Sequence, residues 1–343
     1  MVFCWRRHAG LSKVHGRRVE WQWPAGCGGC RGNGGYYGGV GNGGEPWGVA
    51  NYWPSAQSSG DIGVLLGNGA SGHGDGTFAP IVAYPVTALV EAIDVADIDA
   101  DGQAEIAVAY SDSSIAVMKW DDGSGQLHAV QEFTVEGDLS SVTLADVNRD
   151  NLGDVIYGGM TEETYGSPLL GIRIAGGQGG VWDGTFAPWA THIDETRPQY
   201  GYMNILVSDF NGDGVVELIT GYVRVAEPTV VILRVTAGGT DQGEITQVEV
   251  PSPYLGFPVE LVDLDGDGAL DLAARYGSAI VIHRGEPSAT AESYFSRSAL
   301  YAGVIGGAGA FTFGDINADT HIDVVMTDNL SNRFYTNSNR CNL

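Results

Sequence analysis

The sequence predicts an all-β fold, a β-propeller of four-stranded blades, and three observations carry that expectation. An acidic nonapeptide recurs five times at nearly even spacing. A hexamer returns unchanged at about twice that spacing. Between these landmarks, short apolar runs alternate with turns rich in Gly, Asp and Asn, and no convincing helical period interrupts them.

The fullest acidic loop is Asp263-Leu-Asp-Gly-Asp-Gly-Ala-Leu-Asp271. Its carboxylates Asp263, Asp265, Asp267 and Asp271 stand at places one, three, five and nine. Alternating short acids on a tight turn converge, and their mutual repulsion is costly unless a cation sits among them. Hard oxygen donors in this number suit Ca²⁺ better than a transition metal. Gly268, at place six, suits a bend that needs positive φ.

Four more loops repeat the pattern. They are Asp97, Asp99, Asp101 and Glu105; Asp146, Asn148, Asp150 and Asp154; Asp209, Asn211, Asp213 and Glu217; and Asp315, Asn317, Asp319 and Asp323. Their first residues lie 49, 63, 54 and 52 positions apart. They are not EF-hands, because the place-twelve Glu and flanking helices of that motif are missing. The plain alternative is a set of solvated Asp/Asn turns, since both residues favour turns anyway. Five copies in register argue for metal, with a structural role in stapling hairpins.

Taken in order, residues 1–44 stand apart. They hold six of the 17 basic residues, one acid (Glu20), three of the four cysteines and a dense Gly run from Gly26 to Gly44. This leader reads as disordered or as a misassigned start, and residues 45–343 read as the folded domain. Trp47–Tyr52 and Asp61–Leu66 read as strands, followed by a Gly-rich turn. Asp75-Gly-Thr-Phe-Ala-Pro80 then recurs as Asp183-Gly-Thr-Phe-Ala-Pro188, 108 residues on.

Each later unit leads an apolar strand into its acidic loop: Leu89–Val95, Ser141–Ala145, Ile205–Ser208, Val259–Val262 and Ala310–Gly314. A second strand leaves the loop: Ile106–Tyr110, Val155–Gly158, Leu218–Tyr222, Leu270–Arg275 and Ile322–Met326. A third and a more polar fourth strand follow, as in Ile115–Trp120 and Leu127–Phe133. Six units are visible, the first without an acidic loop, and seven blades are possible. A β-solenoid is the competing repeat fold, but its coils are usually much shorter. The chain enters partway through one unit and ends after a third strand near Phe334–Thr336, which ring closure or truncation would each explain.

Composition narrows the partners. Net charge is −25, and Lys13 and Lys119 are the only lysines, so a phosphate backbone would be repelled. Five Ca²⁺ would offset about ten of those charges. No apolar run approaches a membrane span, and no secretory signal core is visible. Cys27-Gly-Gly-Cys30 lacks a second pair for a zinc site, and the seven histidines are scattered. No nucleophile elbow or phosphate loop occurs.

Phe313-Gly314-Asp315 with its acidic nonamer, Gly63-Val-Leu-Leu-Gly-Asn-Gly69 and the Asp-Gly-Thr-Phe motif together resemble the FG-GAP/VCBS repeat family, over roughly residues 45–340. That family includes the ligand-binding head of integrin α subunits. The resemblance implies a propeller, usually of seven blades, with Ca²⁺ in the hairpin between the first two strands of a blade. Its ligands would be the side chains at places one, three, five and nine and the carbonyl at place seven, for example that of Leu152. It also implies an extracellular or cell-surface setting and a role in adhesion or in recognising carbohydrate or protein. Glu105 and Glu217 depart from the ninth-place Asp. Asn151 and Thr320 replace the sixth-place Gly, and Thr320, being β-branched, marks the weakest site.

The third unit is long, with Glu162, Glu163 and Tyr165 and the segment Asp194–Tyr202 outside the repeat plan. Tyr165, Trp182, Trp189, Tyr200 and Tyr202 either stack on a ligand or wedge between blades. The functional expectation is a recognition module for carbohydrate or protein, with no nucleic acid and no membrane span. It would act as a monomer or as one part of a larger multidomain protein. An enzyme on the same scaffold, a polysaccharide lyase or glycoside hydrolase, is the alternative.

Overall fold

The structure, a computed structural model, describes residues 2–5 and 61–337 except 71–72, 87, 122, 163–165, 179, 197–200, 224–229, 238–242, 249–255, 277–278, 287–294, 296, 302–307 and 329–332. The described residues are all-β, with strands and turns and no helix. Trp47–Tyr52 and the boundary expected near residue 44 lie outside them. Contacts divide the chain into two units, Met1–Pro85 and Val86–Leu343.

In the first unit, β1 (Val2–Trp5), β2 (Asp61–Val64) and β5 (Val82–Pro85) form one antiparallel sheet in the order β1-β2-β5. The leader therefore contributes an edge strand, which its sequence did not signal. The hairpin β3 (Gly67–Ala70) and β4 (His73–Phe78) stands as a separate pair. In β4 the Asp75 carboxylate accepts the Thr77 N–H at 2.8 Å and its hydroxyl at 2.6 Å. The second copy of the hexamer does the same, Asp183 accepting from Thr185 at 2.9 and 2.6 Å. Gly76 and Gly184 take positive φ, 82° and 87°, to let the chain turn there. The repeated hexamer is thus a side-chain-locked turn.

The second unit is a series of antiparallel meanders, each strand paired with the next in sequence. The first sheet holds β6 (Val90–Ala96), β7 (Glu105–Tyr110), β8 (Ser114–Asp121) and β9 (Gln126–Thr134). The second holds β10 (Asp138–Ala145), β11 (Asp154–Met160), β12 (Pro168–Gln178) and β13 (Val181–Ile193). Next come β14 (Gly201–Ser208), β15 (Val216–Val223), β16 (Val230–Ala237) and β17 (Gly243–Val248). A fourth sheet is β18 (Gly256–Val262), β19 (Asp271–Tyr276), β20 (Ala279–Arg284) and β21 (Arg297–Tyr301). The last has three strands, β22 (Ala308–Gly314), β23 (Asp323–Asp328) and β24 (Arg333–Asn337). β10, β14 and β18 begin three or four residues before their expected starts, and β6 begins at Val90, one residue after its own. Among the described residues no strand pairing joins the last of these sheets to the first.

The second strands explain why the sheets stack. Successive side chains on a strand point to opposite faces. On β11, Val155 and Tyr157 pack with Ala107, Ile115 and Val117 of the first sheet, whereas Ile156 between them packs with Leu218 and Leu233 of the third. On β15, Leu218 faces back to the second sheet and Ile219 faces Val259 and Leu272 of the fourth. On β19, Leu272 and Ala274 face the third sheet and Ala273 faces Phe311 of the fifth. Both faces are buried, which is why these strands read as near-continuous apolar runs.

First strands of neighbouring sheets also bond to one another. The Asp94 carboxylate on β6 accepts the Leu144 N–H of β10 at 2.8 Å. The Thr143 hydroxyl donates to the Ile205 carbonyl of β14 at 3.2 Å.

The long third unit is accounted for partly by strand length. β12 runs 11 residues and β13 runs 13, so part of the extra chain extends a hairpin. Trp189 and Tyr202 are buried in the layer between the second and third sheets, and Trp182 packs against the layer before it. A Cβ on Gly243 would stand 2.5 Å from the Trp189 ring, so that glycine is the seat of the indole. Of the five aromatics singled out, these three serve packing. Tyr165 and Tyr200 lie outside the described residues.

Candidate metal centre

All five acidic loops connect the first strand of a sheet to its second, and all five are built alike. Places four and six take left-handed backbone in every copy. At place four stand Ala100 (φ 56°), Arg149 (63°), Gly212 (69°), Gly266 (77°) and Ala318 (61°). At place six stand Gly102 (90°), Asn151 (68°), Gly214 (89°), Gly268 (89°) and Thr320 (73°). The bend expected at place six is present, and the one at place four carries no sequence mark because Ala and Arg hold it in three copies.

Side chains lock these bends. The place-six N–H donates to the place-one carboxylate at 3.0, 2.9, 3.1, 3.0 and 3.0 Å along the five loops. The place-five N–H donates to the place-three side chain at 3.3, 3.1, 3.1, 3.3 and 2.9 Å. The place-seven N–H donates to the place-five carboxylate at 2.7, 2.8, 2.8, 2.8 and 3.0 Å. Where place three is Asn, its amide donates to the place-five acid, as Asn148 does to Asp150 at 2.9 Å. A β-branched residue at φ 73° is strained. Thr320→Gly is expected to stabilise the domain by about 1 kcal/mol, read as a rise in chemical-denaturation midpoint.

Place nine differs in kind. Glu105, Asp154, Glu217, Asp271 and Asp323 are buried, at most 2% exposed, while places one, three and five are exposed or half-buried. Asp154 accepts the Val147 N–H of its own loop at 2.9 Å and the Ala175 N–H of β12 at 2.9 Å. Asp271 does the same with Leu264 at 3.1 Å and Gly285 at 2.9 Å. One carboxylate therefore ties the loop to the third-strand end of its sheet. Burial pushes the Asp154 carboxyl up to about 7, against its backbone hydrogen bonds and with the Asp150 and Asp146 charges adding. Glu217 also rises to about 7, through burial and then the Asp213 charge. Burial likewise raises Glu105 and Asp271.

The first three loops are neighbours. The Gly153 N–H donates to the Ile98 carbonyl of the preceding loop at 2.8 Å, and a Cβ on Gly153 would collide with the Ile98 side chain at 2.6 Å. Arg149 reaches from the second loop to Asp209 of the third.

In two loops three carboxylates meet, with one oxygen of each within 4.8 Å of the others: Asp97, Asp99 and Glu105, and Asp263, Asp265 and Asp267. Asp101 and Asp271 stand outside those triplets. In the remaining loops Asn at place three leaves fewer acids, and no such triplet forms among the described residues. The donor set fits a hard divalent cation. It is all oxygen, its acids repel one another, and a carboxyl held near 7 by burial is one that a cation would return to its charged form.

Sequence reading missed the cations beside these loops. Lys119 on β8 lies 3.5 Å from Asp99, 2.6 Å from Asp101 and 2.9 Å from Glu105. Arg234 on β16 lies 2.6 Å from Asp213 and 3.3 Å from Glu217, and Arg284 on β20 reaches Asp265. The available signal was one charge in an otherwise apolar third strand. Only hairpin register, such as Glu217 opposite Arg234, shows what it faces.

A comparison with protein families decides the repeat. Residues 97–157 match the FG-GAP-like repeat. The match runs from the first residue of the 97–105 loop through the 146–154 loop into β11, so it contains two complete acidic loops. The FG-GAP-like resemblance read from the sequence is therefore found on this stretch. No curated protein matches the chain. Among the described residues, no helix is long and apolar enough to cross a membrane.

Proposed function

We propose that the second unit is a Ca²⁺-stabilised β-propeller that serves outside the cell as a recognition module for carbohydrate or protein. The observation that carries this reading is the stacking of successive four-stranded sheets, each presenting the same acidic loop at its first hairpin. Sheets buried on both faces, with first strands side by side, suit blades around an axis. The FG-GAP-like repeat at residues 97–157 supports an adhesion-type module of this architecture. The loops that hold metal act as staples, and recognition falls to other surfaces of the blades.

A glycan and matrix-protein array, probed with the full chain in millimolar Ca²⁺, tests the recognition role. Specific binding that disappears in chelator is the expected result. Bond cleavage of a bound glycan that persists after mutation of the acidic loops would replace this reading with an enzymatic one.

A further inference from the structure

We propose that the five acidic loops are not equivalent, and that loops 97–105 and 209–217 carry their own cations in place of a bound metal ion. This rests on the reading of the loops as Ca²⁺ sites and divides them by what already neutralises their acids.

In the 209–217 loop every acid has a guanidinium. Arg149 pairs with Asp209, and Arg234 pairs with Asp213 at 2.6 Å and with the buried Glu217 at 3.3 Å. Two positive side chains thus face three carboxylates. In the 97–105 loop the Lys119 ammonium lies within 3.5 Å of Asp99, Asp101 and Glu105 together. It lies against two of the three acids, Asp99 and Glu105, that converge with Asp97. Burial disfavours the Lys119 charge, but hydrogen bonds to Asp101 and Glu105 outweigh it and hold its pKa above the usual lysine range. A Ca²⁺ ion entering either loop must displace a tethered cation of like sign.

The 146–154 loop is built the other way. Val155 pairs with Arg173, so the third-strand residue level with Asp154 is the apolar Ile174, which packs against the core. Arg149 of that loop points its charge at the neighbouring loop. Its acids Asp146 and Asp150 make no ion pair among the described residues. In the 263–271 loop Arg284 pairs, among the described residues, with Asp265 alone, and the ninth-place Asp271 is held by two backbone N–H groups.

These two loops, whose ninth residue sits beside a cation, Lys119 or Arg234, are also the two in which that residue is Glu. The longer acid brings its carboxylate to the cation.

The test is Ca²⁺ stoichiometry of the full chain, by equilibrium dialysis and titration calorimetry, for the wild type, Lys119→Met, Arg234→Met and the control Arg173→Met. Arg173 stacks on Phe133, 4.2 Å from the ring centre, and makes no ion pair with a loop acid among the described residues. About three Ca²⁺ are expected on the wild type and on the control, rising to about four in each of the other variants. The melting-temperature gain on adding Ca²⁺ should widen in the same two variants, since each leaves a buried Glu that the metal can then pair. About five equivalent ions on the wild type, with no gain in either variant, would overturn the proposal while leaving the calcium reading intact. Absence of Ca²⁺ from every variant would overturn the calcium reading itself.

Discussion

Asp154→Ala is expected to lower folding stability by about 3–5 kcal/mol even in chelator, the largest effect of any single loop substitution. Asp154 is fully buried, and its two oxygens accept the Val147 and Ala175 N–H groups, each at 2.9 Å. Removing the carboxylate strands two buried backbone donors, each costing about 1–3 kcal/mol. Asp154→Asn keeps one acceptor and should lose roughly half as much. Asp150→Ala, at an exposed place, should lose no more than about 1 kcal/mol in chelator. Chemical denaturation in EGTA measures all three. Equal effects at Asp150 and Asp154 would mean that the ninth place has no special role in the sheet.

Chelation is expected to produce the second large effect. An ion bound only by the folded loop stabilises by mass action, about 2.7 kcal/mol at a hundredfold excess over Kd. Three such loops, in a domain of this size, should raise Tm by roughly 15–30 °C between EGTA and millimolar Ca²⁺. Asp265→Ala should remove part of that rise, because Asp265 belongs to the converged triplet with Asp263 and Asp267. Identical melting in EGTA and in Ca²⁺ would leave the loops as turns alone. The turns are sturdy in their own right, since places one, three and five each accept a backbone N–H in all five copies.

Much of the fold was legible because its signals are local. The acidic nonapeptide specifies its bend through Asp side chains that bond N–H groups two to five residues on, so spacing alone reveals it. Apolar runs such as Ile106–Tyr110 reveal strands buried on both faces. What was illegible depends on contacts distant in sequence. Nothing in a list of acids distinguishes the buried Asp154 from the exposed Asp150. The difference comes from β12 passing behind the loop and donating the Ala175 N–H.

The same holds for the cations. Lys119 and Arg234 interrupt apolar strands, and their meaning appears only when the hairpin register sets them against place nine. Trp189 and Tyr202, two of the aromatics offered as ligand-stacking groups, are core residues because Gly243 clears space for the indole and two sheets close over both rings. The edge strand Val2–Trp5 was hidden by a leader rich in Gly and Arg.

The most direct measurement is a crystal structure of the full chain grown in millimolar Ca²⁺, with anomalous difference density recorded for calcium. Peaks are predicted inside the loops 146–154, 263–271 and 315–323, each within contact distance of places one, three and five. Sheets arranged around an axis with no calcium peak in any acidic loop would contradict the account at its centre.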